Sequence, residues 1–352
     1  MSEQTGLKRN WKFWLNIITV GALLIFAILI RHQLAQTIEN FSQVHAWALL
    51  LIIPIEYFNY HSQAKLYQSL FGILGNQLGF KGLFETSLEL NFVNSVFPSG
   101  GVSGVSYFGV RMRSDHVTGG RAAVVQLMKL VMIFISFEIL LCIGLLVLAI
   151  SGRSSDITIL IAGSLTTLVV GLTGLFMFII GSEKRISSFL TFITKVVNQI
   201  VHMVRPSYPE AINVEKASRL FAELHHNYIE FRHKYKELRM PLVWAFFANL
   251  TEVLAVYVVY VAFGHWVNIG AVIIAYAVAN FAGFISILPG GVGMYEAIMT
   301  AVMASAGVAA SLSIPVVIMY RVVNTVLQLP PGYFFYRRTL LSNPEGVNSA
   351  RS

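Results

Sequence analysis

The chain has 352 residues, of which 56% are hydrophobic and 12% charged, and its mean hydropathy is +0.68. Soluble globular domains carry about 25% charged residues, so this composition excludes an ordinary soluble protein and predicts an all-α polytopic membrane protein. The formal net charge of +8 fits cytoplasmic loops and contact with anionic lipid, and it does not indicate a nucleic-acid partner.

Six apolar stretches are long enough to cross a hydrocarbon core of about 30 Å. In chain order they are 13–30, 47–70, 122–150, 157–181, 241–263 and 312–336. The first stretch lacks a small-residue cleavage pattern, so we interpret it as a retained span and not a secretory signal. Two further apolar regions, 83–110 and 269–307, are interrupted by proline and glycine. The sequence therefore predicts about six full spans plus two re-entrant or broken-helix regions, in a single domain covering 1–352.

The second half of this domain, 241–338, repeats the first half, 47–150, at an offset of about 190 residues. Four landmarks recur in the same order. They are Phe71-Gly72 with Phe263-Gly264, Asn91-Phe92 with Asn280-Phe281, the two proline-glycine turns, and Lys129 with Arg321. The segment between the halves, 182–240, mixes cations, glutamates and phenylalanines, which predicts amphipathic helices at the cytoplasmic surface.

The distribution of lysine and arginine predicts the orientation. Short loops rich in these residues stay cytoplasmic, and both termini and the 182–240 segment are rich in them. With both termini in the cytoplasm, each broken region must return to the side from which it entered. The two halves would then have inverted orientations, an architecture found in secondary transporters.

A proline-glycine signature occurs in both broken regions. Its residues are Pro98, Gly100 and Gly101 in the first copy, and Pro289, Gly290, Gly291 and Gly293 in the second. Such irregular backbone is tolerated in a membrane only where protein or a water-filled cavity covers it. A helix that restarts after the turn would direct free N–H groups at a phosphate or carboxylate. The alternative is that these glycines only allow close helix packing.

Two cations, Lys129 and Arg321, lie inside apolar helices, where an unpaired charge costs at least about 2.5 kcal/mol. Glu296 follows the second turn and is a candidate counter-ion. The other candidates are Glu56, Glu85, Glu89, Glu138 and Glu252. We expect a cationic cavity for an anionic headgroup, with Arg111 and Arg113 at its cytoplasmic mouth. The alternative is that Lys129 snorkels to the interface and that the Arg321 pair is structural.

Other chemistries have weak support. The single cysteine, Cys142, allows no intramolecular disulfide. His226, Glu230 and His233 share a helix face but lack the spacing of a zinc-protease motif. The Gly101–Gly104 stretch falls one residue short of a nucleophile elbow. We therefore expect no catalytic residue, no metal and no cofactor.

The stretch from Leu288 to Glu296, together with Gly307 and Met319-Tyr320-Arg321, resembles the C-terminal signature of the lysylphosphatidylglycerol synthase transmembrane-region family, also called the flippase-like domain family. The stretch from Asn91 to Arg113 resembles its first signature. Two positions depart from the family pattern. Gly104-Val105 stands where a glycine-glutamate pair is usual, and Met128-Lys129 stands where glutamate-arginine is usual.

The resemblance implies a protein that moves or presents lipids across the cytoplasmic membrane. It makes Asn91 and Asn280, the two turns, Arg111, Arg113, Lys129, Glu296 and Arg321 the candidate substrate-binding residues. Family members fused to a soluble aminoacyl-transfer domain also synthesise lysyl-lipid, and we expect no such activity here. One alternative is a scaffold that presents lipid to a separate membrane transferase, and another is an intramembrane lipid enzyme.

Overall fold

The computed structural model describes residues 44–97, 102–152, 156–182, 225–285 and 293–342, together with single positions among 21–39 and 184–192. The described part is helical and contains no strand. The predicted first span at 13–30, most of the 182–240 segment and the core of both proline-glycine turns lie outside the described residues.

The first half consists of a short helix and four longer ones. These are α1 (Ala46–Leu49), α2 (Ile52–Ile73), α3 (Phe80–Val96), α4 (Val102–Arg113) and α5 (Gly119–Ile150). Helix α6 (Asp156–Ile180) follows. The second half, after a 3₁₀ turn at Tyr235–Leu238, consists of α7 (Arg239–Ala262), α8 (Ile269–Ile285), α9 (Met294–Ser305) and α10 (Ala310–Ser342).

Four of the predicted spans meet the length and apolarity needed to cross a membrane, in α5, in α6, around α7 and in α10. Helix α2 has 22 residues, which is about 33 Å of helix, but Glu56, Asn59 and Lys65 make it more polar than those four. Each broken region contains two shorter helices in the part of the chain that the structure describes. The first helix of each region has 17 residues and the second has 12, or about 26 Å and 18 Å.

The order of helix lengths recurs in the two halves. Helix α8 begins 189 residues after α3 and has the same length, and α9 begins 192 residues after α4 and has the same length. The preceding helices also end alike. After α2, Gly75 has φ +78° and the next amide donates to the carbonyl of Phe71, and after α7, Gly264 has φ +79° and the next amide donates to that of Tyr260. The internal repeat is therefore present in the backbone as well as in the sequence.

The halves interlock at their centre. Helix α2 packs on α7, while the 17-residue helix of each half packs on the long helix of the other, α3 on α10 and α8 on α5. Asn59 of α2 donates to the Ala248 carbonyl at 2.8 Å and to Thr251 Oγ1 at 2.9 Å, both on α7. Two apolar clusters flank this seam, one centred on α7, α8 and α9 and the other on α2, α4 and the first turns of α5.

Candidate functional site

An ion pair lies just after the second proline-glycine turn. Arg321 of α10 donates from Nη1 to Glu296 Oε1 of α9 at 2.8 Å, and the two side chains are 15% and 12% exposed. The guanidinium also lies 5.2 Å from the ring centroid of Tyr295. The structure thus shows the pairing of Arg321 with Glu296 that the sequence predicted.

The second oxygen of Glu296 binds the start of its own helix. Glu296 Oε2 accepts from the Gly293 amide at 2.7 Å, and Gly293 has φ +87°, a conformation that favours glycine. One carboxylate therefore binds both an arginine and a helix N-terminus, the two groups that recognise phosphate in other proteins. The Glu296 carboxylate thus binds the same arginine and helix N-terminus at which we expected an external anion to bind.

Lys129 has a different environment from Arg321, its partner in the repeat. Its Nζ donates to Gln63 Oε1 at 3.1 Å and to Tyr67 OH at 3.0 Å, and lies 4.4 Å from the Tyr67 ring centroid. No carboxylate of the described residues lies within 4.0 Å of it. The expectation of a glutamate counter-ion is therefore wrong for Lys129, because neutral oxygens and an aromatic face of α2 solvate the ammonium instead.

Arg111 lies in the last turn of α4 beside a buried acid. Its Nε lies 3.4 Å from Glu89 Oε2 and its Nη1 lies 3.1 Å from Asp115 Oδ2. The Glu89 side chain is 1% exposed and also accepts from Tyr107 OH at 2.8 Å and Thr339 Oγ1 at 2.7 Å. Glu89 therefore connects α3, α4 and α10, so Arg111 is part of an interhelical contact. Arg113, two residues further on, is exposed.

Asn91 joins a polar network that crosses the two halves. Its Nδ2 donates to Tyr60 OH of α2 at 2.6 Å and to Gln328 Oε1 of α10. Gln328 Nε2 in turn donates to Glu56 Oε2 at 2.8 Å and to Asn324 Oδ1. The sequence predicted Asn91 but not Gln328, because an amide inside a long helix has no recognisable pattern.

The same network reaches a second acid along α10. Asn324 Nδ2 lies 3.4 Å from Tyr320 OH, and Tyr320 OH donates to Glu252 Oε2 of α7 at 2.7 Å. The rings of Tyr320 and Tyr295 stack with centroids 6.5 Å apart, which brings the network to the residue next to Glu296. Hydrogen bonds thus join Glu56 to Glu252, and a ring contact connects this network to the sequence neighbours of Arg321 and Glu296.

The remaining predicted residues divide into two groups. Asn280 bonds within its own helix, since its Nδ2 donates at 2.9 Å to the Tyr276 carbonyl one turn back in α8 and its side chain also hydrogen-bonds the Tyr276 side chain. The others fall outside the described residues. They are Pro98, Gly100, Gly101, Pro289, Gly290 and Gly291. Within the described part, no group of three histidine, cysteine or carboxylate side chains could hold a metal.

We expect the two asparagines of the repeat to differ in their effect on stability. Replacing Asn91 by leucine removes bonds to two other helices and leaves buried Tyr60 and Gln328 groups unpaired, which should cost about 1–3 kcal/mol. Asn280→Leu removes bonds to Tyr276 of its own helix and none to another helix, so it should change stability less. Thermal unfolding of both variants in detergent measures this difference. Equal melting temperatures would contradict the assignment of Asn91 to the interhelical network.

The chain also matches a known protein family. The family described as Lysylphosphatidylglycerol synthase TM region matches residues 13–332, which is most of the chain. The chain belongs to this family. No curated protein matches the chain. As a member of the lysylphosphatidylglycerol synthase TM-region family it is a multi-pass membrane protein tied to lipid metabolism.

The family match includes all of the charged residues described above. Glu89, Arg111, Glu296 and Arg321 lie within it, as does the polar network from Glu56 to Gln328. Thr339, which binds Glu89, lies just beyond its end. The polar interior is therefore built within the part of the chain that this lipid-related family defines.

Proposed function

We propose that this protein moves an anionic lipid, either a phospholipid or a lipid-linked intermediate, across the cytoplasmic membrane. The observation that carries the proposal is the Arg321–Glu296 pair inside an apolar helix bundle. An arginine is costly in that position and is usually retained for a substrate pathway. In this proposal the protein carries out no covalent step.

The headgroup phosphate would exchange with the Glu296 carboxylate. Arg321 presents a planar set of donors suited to two phosphate oxygens, and the Gly293 amide adds a third donor from the helix N-terminus. When the lipid leaves, Glu296 returns to both groups and neither is left unpaired in a low-dielectric interior. Glu296 would then stabilise the empty state and release the product.

We further propose that the two halves are inverted, with both termini in the cytoplasm. Gln77 and Trp266 are exposed residues at equivalent positions, 189 residues apart, in the turns after α2 and α7. In an inverted repeat these turns face opposite sides of the membrane. Gln77 would then be cytoplasmic and Trp266 external.

Cysteine labelling tests this orientation. In a Cys142→Ser background, single cysteines replacing Gln77, Arg185 or Arg337 should react with an impermeant maleimide only from the cytoplasmic side. A cysteine replacing Trp266 should react only from outside. Labelling of Gln77→Cys and Trp266→Cys from the same side would exclude the inverted arrangement and leave a parallel repeat.

Dithionite quenching of fluorescent lipids in proteoliposomes tests the transport proposal. The purified protein should expose inner-leaflet anionic phospholipid to dithionite faster than protein-free vesicles do, with a smaller effect on a zwitterionic lipid. If the protein alone left every inner-leaflet lipid unquenched by dithionite, and lipid moved only after a membrane transferase was added, the scaffold alternative would replace this proposal.

A further inference from the structure

The acid pair Glu56 and Glu252 is not used by the exchange at Arg321. Glu56 is 5% exposed, and its Oε2 accepts one hydrogen bond, from Gln328. Its Oε1 is buried and has no hydrogen-bond partner within the described ranges. The charged group that interacts electrostatically with Glu56 is Glu252, a second acid.

No base compensates this pair among the residues that the structure describes. The three ion pairs found there are Arg111 with Glu89, Arg111 with Asp115, and Arg321 with Glu296. From α5, Lys129 is bound to Gln63 and Tyr67. Two carboxylates in a low-dielectric interior repel each other, and each also loses its hydration. Both costs fall when one proton binds to the pair.

The other groups that face the pair are neutral hydrogen-bonding side chains from five helices. Tyrosines from four helices interact electrostatically with one or both acids. They are Tyr60 of α2, Tyr276 of α8, Tyr295 of α9 and Tyr320 of α10. Helix α3 contributes Asn91, bound to Tyr60 and Gln328. Tyr295 is 7% exposed, and its hydroxyl is buried without a hydrogen-bond partner in the described part. Two buried polar atoms near the acid pair, Glu56 Oε1 and Tyr295 Oη, thus lack a hydrogen-bond partner among the described residues.

We propose that Glu56 and Glu252 form a proton-binding site whose occupancy is coupled to the Arg321–Glu296 exchange. The two acids are joined through Gln328, Asn324 and Tyr320. Tyr320 precedes Arg321 in α10, and its ring stacks on Tyr295, which precedes Glu296 in α9. One proton taken up from water leaves the pair with a single negative charge and removes the repulsion between the two acids, and its release restores that repulsion. Binding or release of the proton would therefore act on α9 and α10, which carry Glu296 and Arg321.

This coupling rests on the proposed lipid movement, whereas proton binding can be measured without any lipid. Infrared spectroscopy of the purified wild-type protein should show the C=O band of a protonated buried carboxyl at neutral pH. In the double variant Glu56→Gln/Glu252→Gln, which removes both acids, the band should lose the contribution of one carboxyl. Glu138→Gln is the matched control, because Glu138 also lies in an apolar helix with a buried, unpaired Oε1 but outside the network, and any band lost in that variant should remain in the double variant. A double variant with the same band intensity as the wild type would overturn the proton site.

Proteoliposomes with an imposed pH gradient test the coupling. With one proton per lipid, each pH unit should shift the distribution of anionic lipid between leaflets by up to about tenfold. In Glu56→Gln and Glu252→Gln the distribution should not respond to the gradient. A lipid distribution that does not change with the pH gradient, or that changes with a sodium gradient instead, would overturn the coupling but leave the proposed function intact. A wild-type protein that moves no lipid would contradict the proposed function, and the infrared band would still decide the proton site.

Discussion

Replacing Gly270 by leucine should strongly destabilise the protein at the crossing of α5 and α8. A Cβ at this position would lie 2.5 Å from the Gly144 carbonyl oxygen and 3.1 Å from the Leu148 amide nitrogen, both backbone atoms of α5. Backbone in a helix cannot move aside as a side chain can, so α5 and α8 would have to separate. We expect a loss of about 1–3 kcal/mol or more, seen as a lower melting temperature in detergent.

Gly171→Leu in α6 is the matched control, because nothing lies within 4 Å of a Cβ built at that position. Gly332→Leu should behave like Gly270→Leu, since its Cβ would lie 2.8 Å from the Leu88 carbonyl oxygen and 2.8 Å from Phe92 Cβ. Equal melting temperatures for the Gly270 and Gly171 variants would show that α5 and α8 do not approach as closely as described.

These two glycines mark the corresponding crossings of the two halves. Gly270 lies where α8 meets α5, and Gly332 lies where α10 meets α3. Small residues allow the backbones of membrane helices to approach closely, where dispersion contacts replace the hydrophobic effect that holds soluble helices together. The halves therefore form one interlocked body, and the polar network from Glu56 to Glu252 exists only because helices of both halves supply it.

The sequence predicted the helices well because apolar length is a strong signal in membrane proteins. Helix α5 begins three residues before the predicted stretch at 122–150 and ends with it, and α7 begins two residues before the stretch at 241–263. The repeat was also visible in the sequence, because proline, glycine and asparagine recur at fixed spacing. The inverted orientation remains a prediction, since loop charge was its basis and the labelling experiment is its test.

The partners of the buried charges were harder to predict. Arg321 and Glu296 are 25 residues apart on packed helices, and proximity to the turn was enough to suggest the pair. Lys129 was expected to resemble Arg321, but the facing helix supplies Gln63 and Tyr67 and no acid. Glu89 was a candidate partner for the two cations and instead binds Arg111. A list of buried acids does not specify which base each one faces, because that depends on helix rotation and tilt.

Removing the charge of Arg321 should have the largest effect on lipid movement. In Arg321→Gln the headgroup loses its cation and the partly buried Glu296 loses its arginine, so we expect loss of anionic-lipid movement in the dithionite assay. Breaking such a pair on one side also costs about 3–5 kcal/mol of stability. Arg321→Lys should retain part of the activity, since an ammonium keeps the charge but cannot bind two oxygens as a planar fork.

The double variant Arg321→Gln/Glu296→Gln separates transport from folding. It leaves no unpaired charge at the site, so its melting temperature should recover towards that of the wild type. Its lipid movement should stay low, because the headgroup phosphate still has no cation to bind. Wild-type rates in the double variant would show that the pair only holds α9 against α10, and that the lipid crosses by a route that does not use Arg321.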